Sequence, residues 1–438
     1  MEKQTLTYRL NMLSNNESDH RELFSGRVLF SYLASSLILV SLFLFISKSL
    51  YNYPVALMAC LGFIVCLQSR GKVFFSPAMR CFCLLFFCLW LPMLLSLIDA
   101  VSFEHSWHST GPYLRFLFMG IFVISAMSSY STQKIVLIGV FCLVSFWCID
   151  AVTQSLFGIN FAGYPYEDRH ITGMFYPKNT IAHICAGLSP IYFELLRRHY
   201  RGFVPILIMI LPLFAVILLS GRRAAWIMLA LSFTGYIGFF LLVRTKTRIS
   251  AKQIVLLVLV LSTVLGSIIY AHDATRRRVI NTLGVFSNDY ETVNKATAKR
   301  LPLWQTSARM IRQNWLNGVG PRGYRYAYSQ YALDGDPWKK SGQTHPHQLF
   351  LEVMAECGVF GIMGLLGFIV VFFRYLKPLI SKDPSLFPWV WSVVVITFPF
   401  NTHMAFYGSY WSSFFWLLVT LALSASLNRE PGAWSKPE

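Results

Sequence analysis

Charged residues are scarce in this chain, and acidic ones are the scarcest. Only 13% of the 438 residues are charged, whereas a typical soluble domain has about 25%. The 20 Asp and Glu residues are outnumbered by 38 Lys and Arg, and hydrophobic residues make up 55% of the chain. A composition so poor in charge excludes an ordinary soluble protein and favours one that is surrounded by lipid.

Cysteine is absent from the one long polar stretch of the chain. The nine cysteines lie in or near apolar runs, and none falls in the basic segment between residues 271 and 344. This distribution excludes a disulfide framework in that segment, and no zinc-like spacing occurs. We expect the cysteines to be small buried side chains, and we predict neither a metal site nor a cofactor.

Apolar runs of about 17 to 25 residues, the length that a helix needs to cross a bilayer, recur along the chain. Lipid cannot satisfy unpaired backbone groups, so these runs predict helices rather than open sheets. The predicted fold is all-α: a polytopic membrane protein of about twelve transmembrane helices with one large periplasmic loop that contains short helices. The expected spans are 28–48, 50–68, 79–98, 111–128, 134–157, 179–196, 203–220, 224–243, 252–271, 347–376, 386–401 and 405–427.

The distribution of basic residues orients these spans. Lys and Arg in the short connections gather on one side, which the positive-inside bias assigns to the cytoplasm. The long loop then lies outside, together with the 99–110 and 158–178 connections and the Gly221-Arg222-Arg223 turn. The predicted parts are a cytoplasmic tail (1–27), spans 1–9 (28–271), the basic loop (272–346), spans 10–12 (347–427) and a second cytoplasmic tail (428–438).

The basic loop has twelve Lys and Arg residues but only five Asp and Glu. A loop of this length escapes the positive-inside bias, so topology does not account for its charge. We interpret the charge as an attraction for an anionic, lipid-borne substrate. Within the loop, residues 301–315 have the spacing of an amphipathic helix along the surface, and Gly318-Val319-Gly320-Pro321 ends it.

His347 follows Pro346 at the point where the next apolar run begins. Proline suits the first position of a helix, so we expect Pro346 to start the span, with His345 or Thr344 as the cap and His347 in the first turn. The positive end of a helix disfavours imidazolium, and a neutral His347 could act as a general base. The alternative is an interfacial histidine that only caps or packs, and position alone favours that alternative.

Arginines supply the other candidates. Arg222 and Arg223 lie between two spans on the expected outer side, where they could bind phosphate oxygens or simply reach into lipid headgroups. These two interpretations are about even. Arg300, one helical turn before Trp304, is by itself better explained as part of a solvated face. Arg276-Arg277-Arg278 directly follows a span and is expected to bind lipid phosphates nonspecifically.

The remaining candidates for substrate binding are less distinctive. Asp150 lies near the outer end of a span, where a carboxylate is a functional candidate unless water solvates it. Arg169 lies in the 158–178 connection and Asn179 directly follows it, and turn chemistry is the favoured explanation for both. Together with Arg222 and His345, these residues complete the predicted substrate-binding set.

Taken in order along the chain, these segments resemble the O-antigen ligase and O-antigen polymerase superfamily of bacterial envelope glycosyltransferases. The resemblance covers most of residues 150–370. Each motif is short, but their order, spacing and predicted side of the membrane are fairly specific as a set. The matching residues are the Gly173-to-Asn179 segment, Arg223-Ala224-Ala225-Trp226, Arg300 with Trp304, Gly318-Val319-Gly320, His347-Gln348-Leu349-Phe350-Leu351, Glu356, Gly358 and Gly361.

The resemblance implies an inverting glycosyltransferase of the bacterial inner membrane whose active site faces the periplasm. It implies that neither a nucleotide sugar nor a metal is needed. A ligase of this kind transfers a polysaccharide from undecaprenyl diphosphate to the lipid A–core oligosaccharide. By this resemblance His347 is the catalytic base, and Arg223 and Arg300 are catalytic ligands of the diphosphate. The Ala-Ala-Trp that follows favours Arg223 over Arg222 as the matching residue.

The implied partners are the undecaprenyl diphosphate-linked donor, the lipid A–core acceptor and membrane lipids, with no nucleic acid. We expect a monomer or a weak oligomer. The nearest alternative is an O-antigen polymerase, and the basic loop favours the ligase because lipid A–core is more anionic than a growing neutral glycan. A transporter of lipid-linked oligosaccharide would need charges along a path through the bilayer centre, where the sequence has almost none. A non-catalytic assembly protein is a further alternative.

Overall fold

The computed structural model describes residues 29–127, 130–167, 170–200, 203–242, 251–399 and 404–427. Within these ranges the regular structure is helical and no β-strand occurs, which confirms the all-α prediction. The two predicted cytoplasmic tails lie outside the described residues.

The helices follow one another with short connections. In chain order they are α1 (Leu29–Leu44), α2 (Asn52–Gln68), α3 (Pro77–Leu95), α4 (Phe103–Thr110), α5 (Arg115–Ala126), α6 (Tyr130–Phe157), α7 (Ile181–His199), α8 (Phe203–Leu219), α9 (Arg223–Leu242), α10 (Ala251–Ala271), α11 (Asp273–Leu283), α12 (Tyr290–Ala296), α13 (Leu301–Gln313), α14 (Tyr324–Tyr331), α15 (Leu349–Lys382), α16 (Phe387–Thr397) and α17 (Ser409–Ala425).

Six helical segments of the described chain are long and apolar enough to cross a membrane. They are Pro77–Leu95, Phe103–Ala126, Thr132–Phe157, Arg223–Leu241, Lys252–Ala271 and Leu349–Lys382. Five shorter apolar helices, α1, α2, α8, α16 and α17, coincide with further predicted spans. These helices are those of a membrane protein, while the total of about twelve crossings and the loop outside the membrane stay predictions.

Helix α7 lies at the centre of the molecule. Every side chain from Ile181 to Leu196 is buried, and the helix packs against α6, α8, α9 and α16. Because protein rather than lipid surrounds it, α7 can contain polar side chains such as His183, Ser189 and Glu194 within an otherwise apolar run. This central helix brings its first turn next to the α8–α9 connection.

The basic segment between α10 and α15 is largely helical and is attached to α15. Helix α13 confirms the predicted helix in residues 301–315, and its apolar face packs against α14 and α15. A second core formed by Met310, Tyr324, Tyr328 and Ala355 joins these three helices. The segment is therefore an ordered layer that approaches the starts of α9 and α15.

Candidate active site

The turn between α8 and α9 presents two arginines. Helix α8 ends at Leu219, Gly221 takes a left-handed conformation with φ of 66°, and α9 begins at Arg223. Asn179 fixes this turn from the start of α7, because its Nδ2 donates a hydrogen bond to the carbonyl oxygen of Ser220 at 2.8 Å. The turn is thus anchored to the central helix, and Arg222 and Arg223 project from a defined position.

The side chain of Arg223 connects this turn to the basic segment. Its Nη1 donates hydrogen bonds to the carbonyl oxygen of Ala296, at the end of α12, and to Oγ1 of Thr282 in α11 at 3.3 Å. Arg222 makes no such link. Its Nε is buried and has no hydrogen-bond partner among the described residues. Arg222 is therefore the more available of the two for an anionic ligand.

Arg278 joins the cluster from α11. It packs directly against Gly221, because a Cβ added to that glycine would overlap the Arg278 guanidinium. Its Nη2 lies 2.6 Å from Nε2 of His170. The pKa of Arg222 is lowered by burial of its own side chain and, to a smaller extent, by the positive charge of Arg278. The sequence led us to expect nonspecific lipid binding by Arg276-Arg277-Arg278, whereas Arg278 is half-buried beside Arg222.

Arg300 approaches from the start of α13, of which it is the N-cap residue. Burial lowers its pKa to about 10, and the like charges of Arg223 and Arg222 add to this effect. None of Arg222, Arg223, Arg278 and Arg300 forms an ion pair with a carboxylate in the part of the chain that the structure describes. Partly buried guanidinium groups without carboxylates form a strongly positive region that suits a multiply charged anion.

The start of α15 differs from the sequence-based expectation. Helix α15 begins at Leu349, and Gln348 is its N-cap, whose side-chain oxygen accepts the N–H of Leu351. The prediction that Pro346 begins the helix and that His347 lies in its first turn is therefore wrong. Gln348 already satisfies a free N–H, and His347 has a φ of 56°, which no helical residue adopts.

The loop that carries His347 is held by α13. Nε1 of Trp304 donates a hydrogen bond to the carbonyl oxygen of Pro346 at 3.1 Å. The imidazole of His345 is buried and its centroid lies 4.0 Å from that of His347. Because Arg300 is one helical turn before Trp304, this bond fixes His347 relative to Arg300.

His183 brings the two halves of the site together. It is fully buried in the first turn of α7 and interacts electrostatically with Arg222, Arg300 and His347. The α8–α9 turn, the basic segment and the start of α15 therefore meet at one place. His183 was not among the predicted site residues, and the available signal was a histidine four residues after Asn179 in an apolar run.

The Gly-Val-Gly and Glu-x-Gly motifs form a backbone junction behind His347. Helix α15 is interrupted at Gly358, which has φ 59° and ψ −154°. Val319 and Gly320 donate backbone hydrogen bonds to the carbonyl oxygens of Ala355 and Glu356 at 2.9 and 3.0 Å. A side chain at Gly318 would overlap the Glu356 backbone, so these motifs fix the position of α15.

One of the predicted substrate-binding residues, Asp150, does not join the cluster. Asp150 is fully buried and accepts hydrogen bonds from Asn160 Nδ2 at 3.2 Å and from the Phe161 N–H at 3.0 Å. It thereby orders the connection between α6 and α7. Arg169 lies outside the described residues. The structure brings together Arg222, Arg223, Arg300, Asn179, His345 and His347.

His, Cys, Asp and Glu side chains in the described ranges form no group of three or more that could hold a metal ion. The site presents the guanidinium groups of its arginines and the imidazoles of its histidines, and the chemistry they fit is the binding of a diphosphate beside a proton acceptor.

Residues 207–366 match the family model described as O-antigen ligase. The chain matches none of the curated proteins with which it was compared. The matched range contains all four arginines of the cluster, the Gly-Val-Gly junction and His347, whereas Asn179 and His183 precede it. The match covers 160 of the 438 residues, so this part of the chain is similar to an O-antigen ligase domain and supports a relation to the O-antigen ligase and polymerase superfamily.

Proposed function

We propose that this protein is an O-antigen ligase that transfers a polysaccharide from undecaprenyl diphosphate to the lipid A–core oligosaccharide. The observation that carries the proposal is the convergence of Arg222, Arg300 and His347 on the buried His183. A positive region beside an imidazole offers the two groups that a direct displacement needs. These are a ligand for the departing diphosphate and an acceptor for the proton of the incoming hydroxyl.

The proposed reaction is a single inverting displacement. His347 removes the proton from an acceptor hydroxyl, and that oxygen forms a bond to the anomeric carbon of the donor sugar. The bond from the anomeric carbon to the diphosphate oxygen breaks, and its electron pair leaves with undecaprenyl diphosphate. The proton stays on the His347 imidazole and is later released to water. General-base catalysis of this kind contributes roughly 10²–10⁴-fold, and positioning of two large lipids contributes much of the remainder.

The arginines act on the negative charge that develops on the leaving diphosphate. Arg222 and Arg300 present planar guanidinium groups that bind phosphate oxygens in pairs, and Arg223 adds positive charge while its Nη1 stays bonded to Ala296 and Thr282. Their mutual repulsion is highest in the ligand-free protein, and a diphosphate relieves it. Arginines can therefore supply the charge stabilisation for which other enzymes use a divalent cation, and we expect transfer to continue when divalent cations are chelated.

The expected location is the inner membrane, with about twelve spans and the site at the periplasmic face. Positive-inside bias supports this orientation. It assigns the basic short connections to the cytoplasm and leaves the α8–α9 turn and the segment with α11–α14 outside. Both lipid substrates would then reach the site from the same side of the membrane.

The charge of the α11–α14 segment favours a ligase over a polymerase. A phosphorylated lipid A–core is strongly anionic, so a basic surface beside the site raises its local concentration. A polymerase extends a glycan on the same kind of donor, and a neutral growing chain gains nothing from this surface. The family match by itself is equally compatible with both activities.

Reconstitution of the purified protein with lipid-linked polysaccharide and purified rough lipopolysaccharide tests the proposal. We expect a conjugate to lipid A–core with and without chelator. The variant His347→Ala should form none while still binding the donor, and Arg300→Ala should bind the donor weakly. Longer donor-linked chains without any conjugate would identify a polymerase. Unchanged transfer by His347→Ala would refute the catalytic base.

A further inference from the structure

A cavity lies at the connection that leads into α7. It has a volume of about 420 Å³ and is bounded by this connection and by the segment after α1. Among its lining residues are Lys48, Lys178, Tyr164, Tyr176 and Tyr410. None of these residues belongs to the range that matches the family model, although Tyr176 and Lys178 lie in the Gly173-to-Asn179 segment of the resemblance.

Two lysines from distant parts of the chain line this cavity. Neither Lys48 nor Lys178 forms an ion pair in the ranges that the structure describes. Partial burial lowers the pKa of Lys178, and the nearby charge of Lys48 contributes to the decrease. Both lysines are exposed to solvent, and two like charges at one cavity favour the binding of an anion there.

The wall of the cavity is aromatic. The rings of Tyr164 and Tyr176 are stacked, with centroids 5.1 Å apart and an angle of 21° between their planes. The Tyr176 hydroxyl donates a hydrogen bond to Glu167 at 3.2 Å, which orients that ring at the rim. On the opposite side, the Tyr410 hydroxyl donates to the carbonyl oxygen of Phe45 at 2.7 Å. Aromatic faces of this kind can bury the apolar C–H face of a sugar ring.

The cavity and the arginine cluster are connected through two residues. Lys178 immediately precedes Asn179, which donates a hydrogen bond to Ser220 at 2.8 Å, and Ser220 is followed by Gly221 and Arg222. A ligand of the cavity would therefore lie beside a diphosphate that is bound by the arginines. This adjacency suits the second reactant of a group transfer.

We propose that this cavity binds a phosphorylated saccharide of the acceptor glycolipid, with Lys48 and Lys178 on a phosphate group and the tyrosines against a sugar ring. This inference rests on the proposed function, since it assigns the arginines to the donor and leaves the acceptor without a site. Lysine is a compact point charge that suits a phosphate monoester, whereas the arginine forks suit the diphosphate. The lysine pair thus selects the acceptor by its phosphate.

Binding measured without turnover tests this proposal. The full-length protein in nanodiscs is titrated with phosphorylated lipid A–core oligosaccharide and with the same glycolipid after enzymatic removal of its core phosphates. Lys48→Gln/Lys178→Gln should weaken binding of the phosphorylated acceptor about tenfold. Its affinity for the dephosphorylated acceptor and for the lipid-linked donor should match that of the unmodified protein. The matched control is Lys340→Gln, an exposed lysine outside the cavity.

Three results would overturn the assignment. One is an unchanged affinity of the double variant for the phosphorylated acceptor, and another is an equal loss on both forms of the acceptor. The third is competition by inorganic phosphate or by phosphatidylglycerol vesicles as effective as that by the glycolipid, which would indicate a general anion or lipid-headgroup site. Because the assay needs no transfer, absence of ligase activity would refute the proposed function and leave the binding result interpretable.

Discussion

The guanidinium group of Arg278 lies against the backbone of Gly221, and a side chain on Gly221 would overlap it. This contact joins α11 to the α8–α9 turn and brings Arg278 beside Arg222. It explains why the first residue of the Gly-Arg-Arg turn has no side chain. The basic segment can approach the turn only if that space is empty.

Gly221→Ala should disrupt the site although it changes none of the side chains that are proposed to bind the ligand. The residue has φ of 66°, so alanine adds roughly 1–2 kcal/mol of backbone strain and also displaces Arg278. We expect donor binding to weaken by about tenfold or more, measured by titration with lipid-linked glycan. A matched glycine is available in the same region, because a Cβ at Gly238 in α9 meets no atom within 4 Å. Gly238→Ala should bind the donor normally, and equal behaviour of the two variants would contradict this explanation.

Arg222 and Arg223 should separate into a binding and a structural role. Arg223→Gln removes the hydrogen bonds to Ala296 and Thr282, and loss of such bonds destabilises a protein by about 1–3 kcal/mol. Arg222→Gln removes no protein contact of this kind, so its melting temperature should stay close to that of the unmodified protein while donor affinity falls. Thermal unfolding and donor titration of both variants check this. An equal loss of stability in Arg222→Gln would be evidence against the assignment.

Arg300→Gln should stabilise the ligand-free protein and abolish its response to diphosphate. Burial and the like charges of Arg223 and Arg222 hold the pKa of Arg300 near about 10, below its ordinary value of 12.5. A cation whose pKa is lowered on folding opposes folding for as long as it stays charged. The penalty is therefore complete below about pH 10, and stability rises as the pH increases above that value.

At neutral pH, removal of this charge should raise the melting temperature by about 2–4 °C. Inorganic pyrophosphate should stabilise the unmodified protein and have little effect on Arg300→Gln. Arg312→Gln, a change at an exposed arginine in the same helix, serves as the control. A lower melting temperature for Arg300→Gln would indicate that Arg300 supports the fold rather than the ligand.

Most of the helical framework was predictable because lipid imposes a simple constraint on composition. Apolar runs with few charges correspond to helices α1–α3, α5–α10 and α15–α17, within a few residues at most boundaries. The start of α15 was an exception. Proline at the first position of a helix is a common pattern, but here the Gln348 side chain caps α15 instead and Pro346 stays in the preceding loop. The competition between two nearby caps depends on local geometry that sequence spacing does not specify.

The candidate site was only partly predictable for a different reason. Arg223, Arg300 and His347 were predicted from the order of short motifs along the chain, and this order can be read from the sequence alone. His183 and Arg278 depend on contacts between segments far apart in the chain, because one lies in the buried central helix and the other packs on Gly221. Asp150 shows the reverse case. A carboxylate near the end of a span was a reasonable functional candidate, yet it orders a loop through Asn160 and Phe161.

Trp304 should act on the reaction through the position of His347. Its indole Nε1 donates to the carbonyl oxygen of Pro346 at 3.1 Å, and this bond ties the residue before His347 to the helix that begins at Arg300. Trp304→Phe keeps an aromatic ring in the same space but removes the donor, so the His347 loop gains freedom without a large cavity.

We therefore expect kcat of Trp304→Phe to fall by about tenfold or more. A small displacement of the general base from the acceptor hydroxyl slows proton transfer considerably. Donor affinity should change little, since the variant leaves all four arginines in place. Steady-state kinetics and donor titration separate the two effects. Trp315→Phe, at an exposed tryptophan after the same helix, should leave both quantities unchanged. If donor affinity fell as much as kcat, Trp304 would instead be assigned to the diphosphate site. Such a loss of affinity would mean that the substitution had displaced Arg300 at the start of α13.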